Sequence, residues 1–333
     1  MMESHDSHAA QSRAATEFTV SHEDVRRLDQ FVAGRTGLSR HAARRLIEEG
    51  QVRVEGRVWR KPGMMLLPGQ RVELSAPPQD PRKTPPVAQP ELPLEVLYED
   101  GDFVIVNKPA GWPTHPLRPG ERGTLASALV ARYPECVAAN PEAREGGLGQ
   151  RLDLYTSGAI VAARNAAAFS ALREHLQNGR VEKEYLALVV GIPEAEELEV
   201  TLPILPAPGL DKRRRLITAT TPEQVYHPDA LDAQTRFVVL KRGAEYTLLR
   251  AEAQTGRRHQ VRAHLAYLGL PLVGDTLYGA PPCEALGEGY FLHASRIAFP
   301  ALSGRKTIVA TAPLPAEREK LLARYGLLVP TRP

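Results

Sequence analysis

The chain has 333 residues, of which 43% are apolar and 24% charged, and its formal net charge is +3. These proportions are typical of a soluble globular protein with two or three domains. No apolar run approaches the length of a membrane span, and two distant cysteines, Cys136 and Cys283, provide neither a disulfide framework nor a thiolate metal site. The polar N-terminus lacks the layout of a secretory signal. We therefore expect a cytoplasmic protein whose residues 1–21 form a disordered tail.

The positive charge is concentrated in one short segment. Residues 22–75 contain eleven Lys or Arg against seven Asp or Glu, a net charge of +4, whereas the rest of the chain has a net charge of −1. A basic excess in a small domain favours a polyanionic partner, although a solvated basic surface gives the same count.

Residues 22–75 have the pattern of a helix–helix–hairpin domain. Apolar spacing predicts a first helix over 25–34, and Ser39 is a candidate N-cap for a second helix that ends at Gly50. Two short strands are predicted to follow, at 51–54 and 71–74.

The second predicted helix has a basic outer face, because Arg40 lies four residues before Arg44 and His41 lies four before Arg45. The run LSRHAARRLIEEGQVRVEG resembles the alpha-L RNA-binding domain, which is shared with a small-subunit ribosomal protein. The resemblance implies that Arg40, Arg44 and Arg45 contact RNA. A generic mini-domain and a helix-turn-helix DNA-binding domain are the alternatives, and the G-x-V-x-V-x-G phrase after the basic helix favours the alpha-L domain.

A proline-rich segment follows this domain. Residues 76–93 contain seven prolines and are predicted to form a semi-extended linker. Such a linker would let the small domain move relative to a second domain, which is predicted to span 94–320.

The second domain has a mixed pattern of strands and helices. Asn165 is a candidate N-cap for a helix over 166–177, and Gly256 precedes a helix that runs to Leu268. Apolar runs and alternating patterns predict strands at 95–98, 103–107, 182–190, 236–240 and 245–252.

The most informative segment is GQRLDLYTSG, residues 149–158, in which Arg151 and Asp153 flank one leucine and a Thr-Ser-Gly turn follows. The small apolar residues after it predict a buried strand, so the turn is expected to hold Asp153 beside a sheet edge. KEYLA and TGRRHQVR follow later in the chain, at 183–187 and 255–262. These three segments, in this order, resemble the RluA-type pseudouridine synthases, which convert uridine to pseudouridine in ribosomal and transfer RNA.

The resemblance implies an α+β fold with a mixed, largely antiparallel sheet, and it implies an active site. Asp153 is at the position of the family's catalytic Asp, which acts as nucleophile or base. Arg262 is at the position of an arginine that holds this carboxylate in its ionised form. Tyr185 is at the position of a tyrosine whose ring stacks on uracil and whose hydroxyl can move a proton. Arg151 corresponds to an arginine that occupies the space left by the flipped base.

The TGRRHQVR segment also provides candidate RNA contacts. Helical spacing places Arg258 and Arg262 four apart on one face of a helix, whereas Arg257 and His259 are assigned to phosphate or backbone contacts. The loop NKPAGWPTHP resembles an N-terminal core motif of the family and is interpreted as loop architecture near the RNA. One residue departs from the family pattern: Gln150 stands where a histidine usually precedes the RLD, and it cannot titrate near neutral pH.

The implied reaction is the isomerisation of uridine to pseudouridine in structured RNA, with 23S ribosomal RNA as the favoured substrate and transfer RNA as the second. The reaction moves no electron and no phosphoryl group, so neither cofactor nor metal is expected, and the chain is expected to be monomeric. Two alternatives stay open. A non-catalytic RNA-binding or ribosome-assembly factor is favoured by Gln150 alone, and an N-glycoside hydrolase would need a second carboxylate near Asp153.

Overall fold

The computed structural model describes residues 16–75, 82–208 and 215–329, so residues 1–15 of the predicted tail lie outside the described part of the chain. The chain divides into two compact units, with the boundary between Asp80 and Pro81. No helix within these described ranges is long and apolar enough to cross a membrane.

Over its described residues, 16–75, the N-terminal unit is a small four-stranded antiparallel sheet with two helices. The helices are α1 (Leu28–Thr36) and α2 (Arg40–Glu48), and the Oγ atom of Ser39 caps α2 by accepting a hydrogen bond from the Ala42 amide at 3.2 Å. The core lies between the helices and the sheet and includes Phe31 and Ile47. The strands pair in the order β1-β4-β2-β3 and are β1 (Thr16–Thr19), β2 (Val52–Val54), β3 (Arg57–Val58) and β4 (Arg71–Leu74).

Two predicted boundaries in this unit are wrong. Thr16–Thr19 is not part of a disordered tail that reaches residue 21, because strand β1 pairs in antiparallel register with β4. The first helix begins at Leu28 and not at Val25, since the backbone at Arg27 is extended and Val25 is 44% exposed. The first error arose because β1 is defined by its pairing with β4, which the polar N-terminal sequence does not reveal. The second arose because Arg27 forms an isolated bridge with Met65, a distant contact that apolar spacing does not report.

The proline-rich segment is not a linker over its whole length. Residues 76–81 lie outside the described ranges, but residues from Arg82 onwards pack on the C-terminal unit. The Arg82 carbonyl accepts a hydrogen bond from the Arg144 amide at 3.0 Å. Gln89 is buried; its amide donates to the Ser127 carbonyl at 3.0 Å, and its Oε1 accepts from the Gly123 amide at 2.6 Å. The prediction of a linker that extends to residue 93 is therefore wrong.

The described part of the C-terminal unit, residues 82–208 and 215–329, is built on one mixed sheet of nine strands. The strands are β5 (Glu95–Glu99), β6 (Phe103–Lys108), β7 (Ser157–Ala163), β8 (Glu182–Val190), β9 (Glu197–Val200), β12 (Thr235–Arg242), β13 (Tyr246–Ala253), β14 (Leu292–Pro300) and β15 (Thr307–Thr311), with a separate ladder of β10 (Ile204–Pro206) and β11 (Leu216–Thr218). Eight of the nine follow the order β5-β6-β7-β14-β8-β13-β12-β9, and the ninth, β15, pairs with β14. Within the described sheet only β7 and β14 are parallel, which confirms the predicted largely antiparallel arrangement.

Helices cover the sheet and connect its strands. The helix over 166–177 is confirmed, and Asn165 caps it by accepting a hydrogen bond from the Ala168 amide at 2.9 Å. The last helix buries Leu321 and Leu322, so this unit continues past the predicted boundary at residue 320. The helices are α3 (Leu125–Arg132), α4 (Cys136–Ala139), α5 (Ala166–Gln177), α6 (Pro222–Val225), α7 (Gln260–Tyr267) and α8 (Ala316–Arg324), and short 3₁₀ turns occupy His22–Asp24, Ala143–Glu145, Thr276–Tyr278 and Glu284–Leu286.

The parallel junction between β7 and β14 holds the loop that carries Asp153. His293 and Ala294 of β14 pair with Ser157 and Gly158 of β7, and Ser157 Oγ lies 2.8 Å from His293 Nδ1. Gly158 has a φ of +114°, and a Cβ atom there would lie 2.2 Å from the Ala294 carbonyl oxygen. The glycine is therefore required for the two backbones to approach. The sequence predicted that Asp153 lies beside a sheet edge, and this prediction is wrong. Strand β7 lies between β6 and β14, so Asp153 precedes an interior strand.

Substitution of Gly158 by alanine is expected to destabilise the C-terminal unit by at least ~2 kcal/mol, because the backbone atoms of Ala294 cannot move away without breaking the junction. Urea unfolding would measure the change. Gly101→Ala is the matched control, since a Cβ atom there meets nothing within 4 Å and the φ of Gly101 is not positive. Equal stabilities of the two variants would contradict the assigned role of Gly158.

Candidate active site

The backbone around Asp153 is fixed by hydrogen bonds from both sides. Thr114 Oγ1 donates to the Leu152 carbonyl at 2.6 Å and accepts from the Leu152 amide at 3.2 Å. The Leu154 carbonyl accepts from the Gly111 amide at 2.9 Å and from Lys108 Nζ at 3.0 Å. The residues on either side of Asp153 therefore cannot shift independently of the NKPAGWPTHP loop.

Lys108 organises that loop from a fully buried position. Besides the Leu154 carbonyl, its Nζ atom donates to the carbonyls of Pro109 at 2.9 Å and Trp112 at 2.7 Å. Burial lowers the pKa of Lys108 to about 7, and the negative charge of Asp153 acts in the opposite direction. The three carbonyl contacts make Lys108 a structural group, as the interpretation of this loop as architecture requires.

One guanidinium connects two carboxylates. Arg262 donates to Asp275 through Nε, 2.7 Å from Oδ2, and through Nη2, 2.9 Å from Oδ1. Its third nitrogen, Nη1, lies 3.3 Å from Asp153 Oδ2. Burial opposes the charge on Arg262, but the hydrogen bonds to Asp275 outweigh it, so the pKa of the guanidinium is raised. Asp275 thus fixes the direction in which Arg262 presents its remaining donor to Asp153.

Aromatic rings enclose this guanidinium. The Arg262 Cζ atom lies 4.2 Å from the ring centroid of Tyr290 and 4.9 Å from that of Tyr278. The Tyr290 hydroxyl is 3.5 Å from Asp153 Oδ2. Burial raises the pKa of Tyr278 to about 12 and that of Tyr290 further, so both phenols are neutral at physiological pH. The rings exclude water from the cation and strengthen its interaction with the carboxylates.

Tyr185 lines the same cleft from strand β8. It pairs with Ala294 of β14 and Ala251 of β13, which places it at the middle of the sheet. Burial, with a smaller contribution from Asp153, raises the pKa of its hydroxyl. The phenol is therefore a neutral group that can donate or relay a proton, and not a standing phenolate base.

His259 is beside Asp153. Its Nε2 atom lies 3.8 Å from Asp153 Oδ2, and its Nδ1 atom lies 3.1 Å from the Tyr278 hydroxyl. Burial lowers the pKa of His259 to about 4, so the ring is neutral near pH 7. Its backbone has a φ of +55°, an uncommon conformation for a residue other than glycine and one that is found at functional sites.

The predicted start of the helix that follows Gly256 is wrong. Helix α7 begins at Gln260, and the residues before it form a turn, so Arg258 and Arg262 do not share a helical face. Gln260 fixes the turn: its Oε1 accepts from the Arg257 amide at 3.0 Å and its Nε2 donates to the Gln234 carbonyl at 2.9 Å. The sequence around Gln260 fits a longer helix as well as it fits this turn, so local periodicity did not distinguish the two.

The site opens into a cleft of about 670 Å³. The predicted RNA contact Arg151 is exposed at this cleft, and Gln150 beside it is half-buried. Arg257 is exposed and is anchored through Nε to the Asp232 carbonyl at 3.0 Å. Among the described lining residues, two carboxylates, Glu145 and Asp153, are outnumbered by six cations: Arg151, Arg173, Lys183, Arg257, Arg258 and Arg262. A cleft with this excess attracts a polyanion. No cluster of His, Cys, Asp or Glu that could bind a metal occurs within the described ranges.

The predicted basic side chains of the N-terminal unit fall into two groups. Arg40 and Arg44 converge on the buried carboxylate of Asp29, with Nε atoms 3.2 Å and 3.9 Å from Oδ2, and Arg27 joins them at 3.1 Å. Arg45 instead pairs with Glu49 at 3.4 Å. The arginines around Asp29 form a net cationic patch, whereas the charge of Arg45 is compensated.

Comparison with known proteins gives the family. A family model described as RNA pseudouridylate synthase matches residues 102–267. An uncharacterised RNA pseudouridine synthase of Chloroflexus aurantiacus is 40% identical over 297 residues, which cover 89% of both chains. This chain belongs to the RNA pseudouridine synthase family. It is an isomerase that converts uridine to pseudouridine in RNA.

Three further comparisons support the family and its two-part organisation. The ribosomal large subunit pseudouridine synthase D of Vibrio parahaemolyticus is 34% identical over 76% of this chain and 73% of its own. The structure of human RNA pseudouridylate synthase domain containing 1 has a TM-score of 0.52 at 26% identity, covering 67% of this synthase and 84% of that chain. A model described as the S4 domain matches residues 26–72, so the N-terminal unit is an S4 RNA-binding domain, as its helix–helix–hairpin pattern implied.

Sequence reasoning missed three residues of this site, Asp275, Tyr278 and Tyr290. Each lies outside the three recognised segments, and their only local signal is a polar or aromatic residue near a turn. Asp275 follows the Val-Gly of LVGDTLYG, where a turn brings it beneath α7. Only the path of the chain shows that these side chains enclose Arg262.

Thr114→Val is expected to lower the rate of pseudouridine formation by the synthase, because it leaves the buried amide and carbonyl of Leu152 without their partner. Each unsatisfied group costs ~1–3 kcal/mol, so stability is expected to fall as well. Single-turnover kinetics and thermal unfolding would measure both effects. Thr114→Ser keeps the hydroxyl and should retain most of the rate. Equal losses of rate in the two variants would show that the hydroxyl does not hold the Leu152 backbone in its active position.

Proposed function

We propose that this synthase modifies 23S ribosomal RNA of the large ribosomal subunit, with Asp153 as the catalytic carboxylate, Tyr185 and Arg262 as its partners and the S4 domain as an RNA-docking module. The observation that carries the proposal is the contact of Asp153 with the buried Arg262 guanidinium at 3.3 Å, inside a cationic cleft. The substrate assignment is supported by relatives that are named for the large ribosomal subunit. Such a substrate would place the protein in the cytoplasm, where we expect it to act as a monomer.

The net reaction exchanges one bond to the sugar for another. The bond between N1 of uracil and C1′ of ribose breaks, a new bond forms between C5 and C1′, and one proton leaves C5 while one is gained at N1. A carboxylate can start this exchange either as a nucleophile at the sugar or as a base. Atoms and electrons balance without an external reactant.

The contacts around Asp153 select one of its oxygens. Arg262, Tyr290 and His259 all approach Oδ2, at 3.3, 3.5 and 3.8 Å. We assign Oδ1 as the oxygen that reacts, because Oδ2 is held by the protein. Arg262 contacts Oδ2 directly, and the hydrogen bonds from Thr114 and Lys108 to the adjacent backbone fix the position of the carboxylate.

Tyr185 is proposed to receive the uracil face and to assist proton movement. Its raised pKa means that it acts as a neutral donor or relay. Extrusion of the uridine from its stack costs a few kcal/mol. Arg151, exposed at the mouth of the cleft, is proposed to occupy the space that the base leaves, and Arg257 to contact phosphate.

The hydrolase alternative is weakened by the state of the second carboxylate. Asp275 shares Arg262 with Asp153, but both of its oxygens are bound to Arg262 and its side chain is only 1% exposed. It cannot activate a water molecule from that position. A non-catalytic role is not favoured either, since Asp153, Tyr185 and Arg262 are all present in one cleft. Gln150 lies at this cleft without contacting Asp153 in any described hydrogen bond.

Asp153→Asn is expected to lower turnover by more than roughly a thousandfold, while RNA still binds. The amide keeps the shape of the carboxylate but lacks its charge. Tritium release from 5-tritiated uridine in RNA would measure turnover, and filter binding would measure affinity. Asp232→Asn, an exposed carboxylate outside the site, is the control. Turnover by Asp153→Asn within tenfold of wild type would remove Asp153 from its assigned role.

The S4 domain is expected to act through the patch around Asp29. Arg40→Gln together with Arg44→Gln should weaken RNA binding and reduce its salt dependence by about two phosphate contacts, whereas the single-turnover rate at saturating RNA should change little. Arg45→Gln is the matched control, because Glu49 already compensates its charge. Affinity at two salt concentrations separates the variants. A larger loss in the Arg45 variant would show that RNA binds a different face of α2.

A further inference from the structure

Lys183 is a buried cation in the wall of the cleft. It lies on strand β8 two residues before Tyr185, so the two side chains leave the strand on the same face, ~7 Å apart along it. Lys183 is 7% exposed and lines the cleft together with Tyr185 and Asp153. Its Nζ atom donates to the Thr255 carbonyl at 2.8 Å.

The charge of Lys183 has no carboxylate partner in the described part of the chain. Arg262, by contrast, has two carboxylates, and Lys108 donates to three carbonyls. Burial lowers the pKa of Lys183 to about 8, and the positive charge of Arg257 acts in the same direction. Nζ has two donors beyond the one that Thr255 accepts. Burying a cation without a charged partner is costly, and the spare donors of Nζ can bind an anion that enters the cleft.

The chemistry of the substrate specifies that anion. Uracil and ribose are neutral, so the phosphodiester groups are the negatively charged parts of a nucleotide in RNA. A uridine whose base lies against Tyr185 and whose sugar lies at Asp153 would have its adjoining phosphate close to the cleft wall. This step rests on the proposed roles of Asp153 and Tyr185.

We propose that Lys183 Nζ binds the phosphodiester adjoining the target uridine and so places the sugar of that nucleotide at Asp153. The bond to the Thr255 carbonyl holds the ammonium in position, and RNA supplies the anion. A competing explanation is that Lys183 only ties β8 to the turn before α7. The two explanations differ in one respect: only the first makes Lys183 sensitive to the charge of a particular phosphate.

The test is a double-mutant cycle that combines a substitution of Lys183 in the protein with neutralisation of one phosphate in the RNA. A uridine-containing stem–loop that the wild-type synthase converts would be prepared with a neutral methylphosphonate at one position at a time around the target. In the wild type, neutralising the bound phosphate should lower kcat/KM by roughly 10–100-fold. In Lys183→Met the same neutralisation should have little further effect on kcat/KM. Neutralising any other phosphate should lower kcat/KM by the same factor in the wild type and in Lys183→Met.

Controls keep the result interpretable if Lys183→Met is less stable. Lys306→Met removes a lysine outside the cleft and should preserve the wild-type response at every phosphate. Lys183→Arg keeps the charge and should keep the response at the same phosphate. If the role of Lys183 is purely structural, Lys183→Met should lower the rate by the same factor for every RNA. Such additive effects of the substitution and the neutralisation at all phosphate positions would overturn the proposal.

The outcome is separable from that of the proposed function. If the effects are additive but Asp153→Asn is inactive, Lys183 does not bind phosphate and the catalytic assignment stands. If Asp153→Asn retains turnover, the position of the sugar in the cleft is wrong and the proposal for Lys183 falls with it.

Discussion

The site depends on a single buried guanidinium. Arg262 sits between two carboxylates and two tyrosine rings, and it is stable there because Asp275 takes two of its nitrogens in a bidentate arrangement. A buried cation without such a partner would be strongly unfavourable. Asp275 therefore allows Arg262 to remain charged, and the third nitrogen of Arg262 contacts Oδ2 of Asp153 in a cleft partly removed from water. Arg262 thus depends on Asp275, and Asp153 depends on Arg262.

The geometry of Asp153 is determined by the backbone around it. Hydrogen bonds from Thr114, Gly111 and Lys108 hold both neighbouring residues, and the close crossing at Gly158 fixes the strand that follows. These contacts come from a loop about forty residues earlier in the chain and from strand β14 much later. The catalytic role proposed for Asp153 would require such support, because a small displacement of a reacting atom lowers the rate considerably.

The two units contribute different physical effects. The S4 domain presents exposed arginines around a buried carboxylate, an arrangement suited to salt-dependent binding of phosphates. The cleft presents cations at several depths: Arg151 and Arg257 are exposed, whereas Lys183 and Arg262 are buried. Exposed cations attract RNA from a distance, and buried ones act only on a nucleotide that has entered the cleft.

The sequence by itself determined the fold class, the helix over 166–177, the strand over 182–190 and the family, because capping residues, apolar periodicity and the RLD, KEY and TGR segments are all local signals. It also placed Asp153, Tyr185 and Arg262 as candidates, and the structure brings them to one cleft. Only the tertiary structure decided that Asp275 and two tyrosines enclose Arg262, that α7 begins at Gln260, and that residues 82–93 pack on the second unit. Those features depend on contacts between residues far apart in the chain, which no local pattern records.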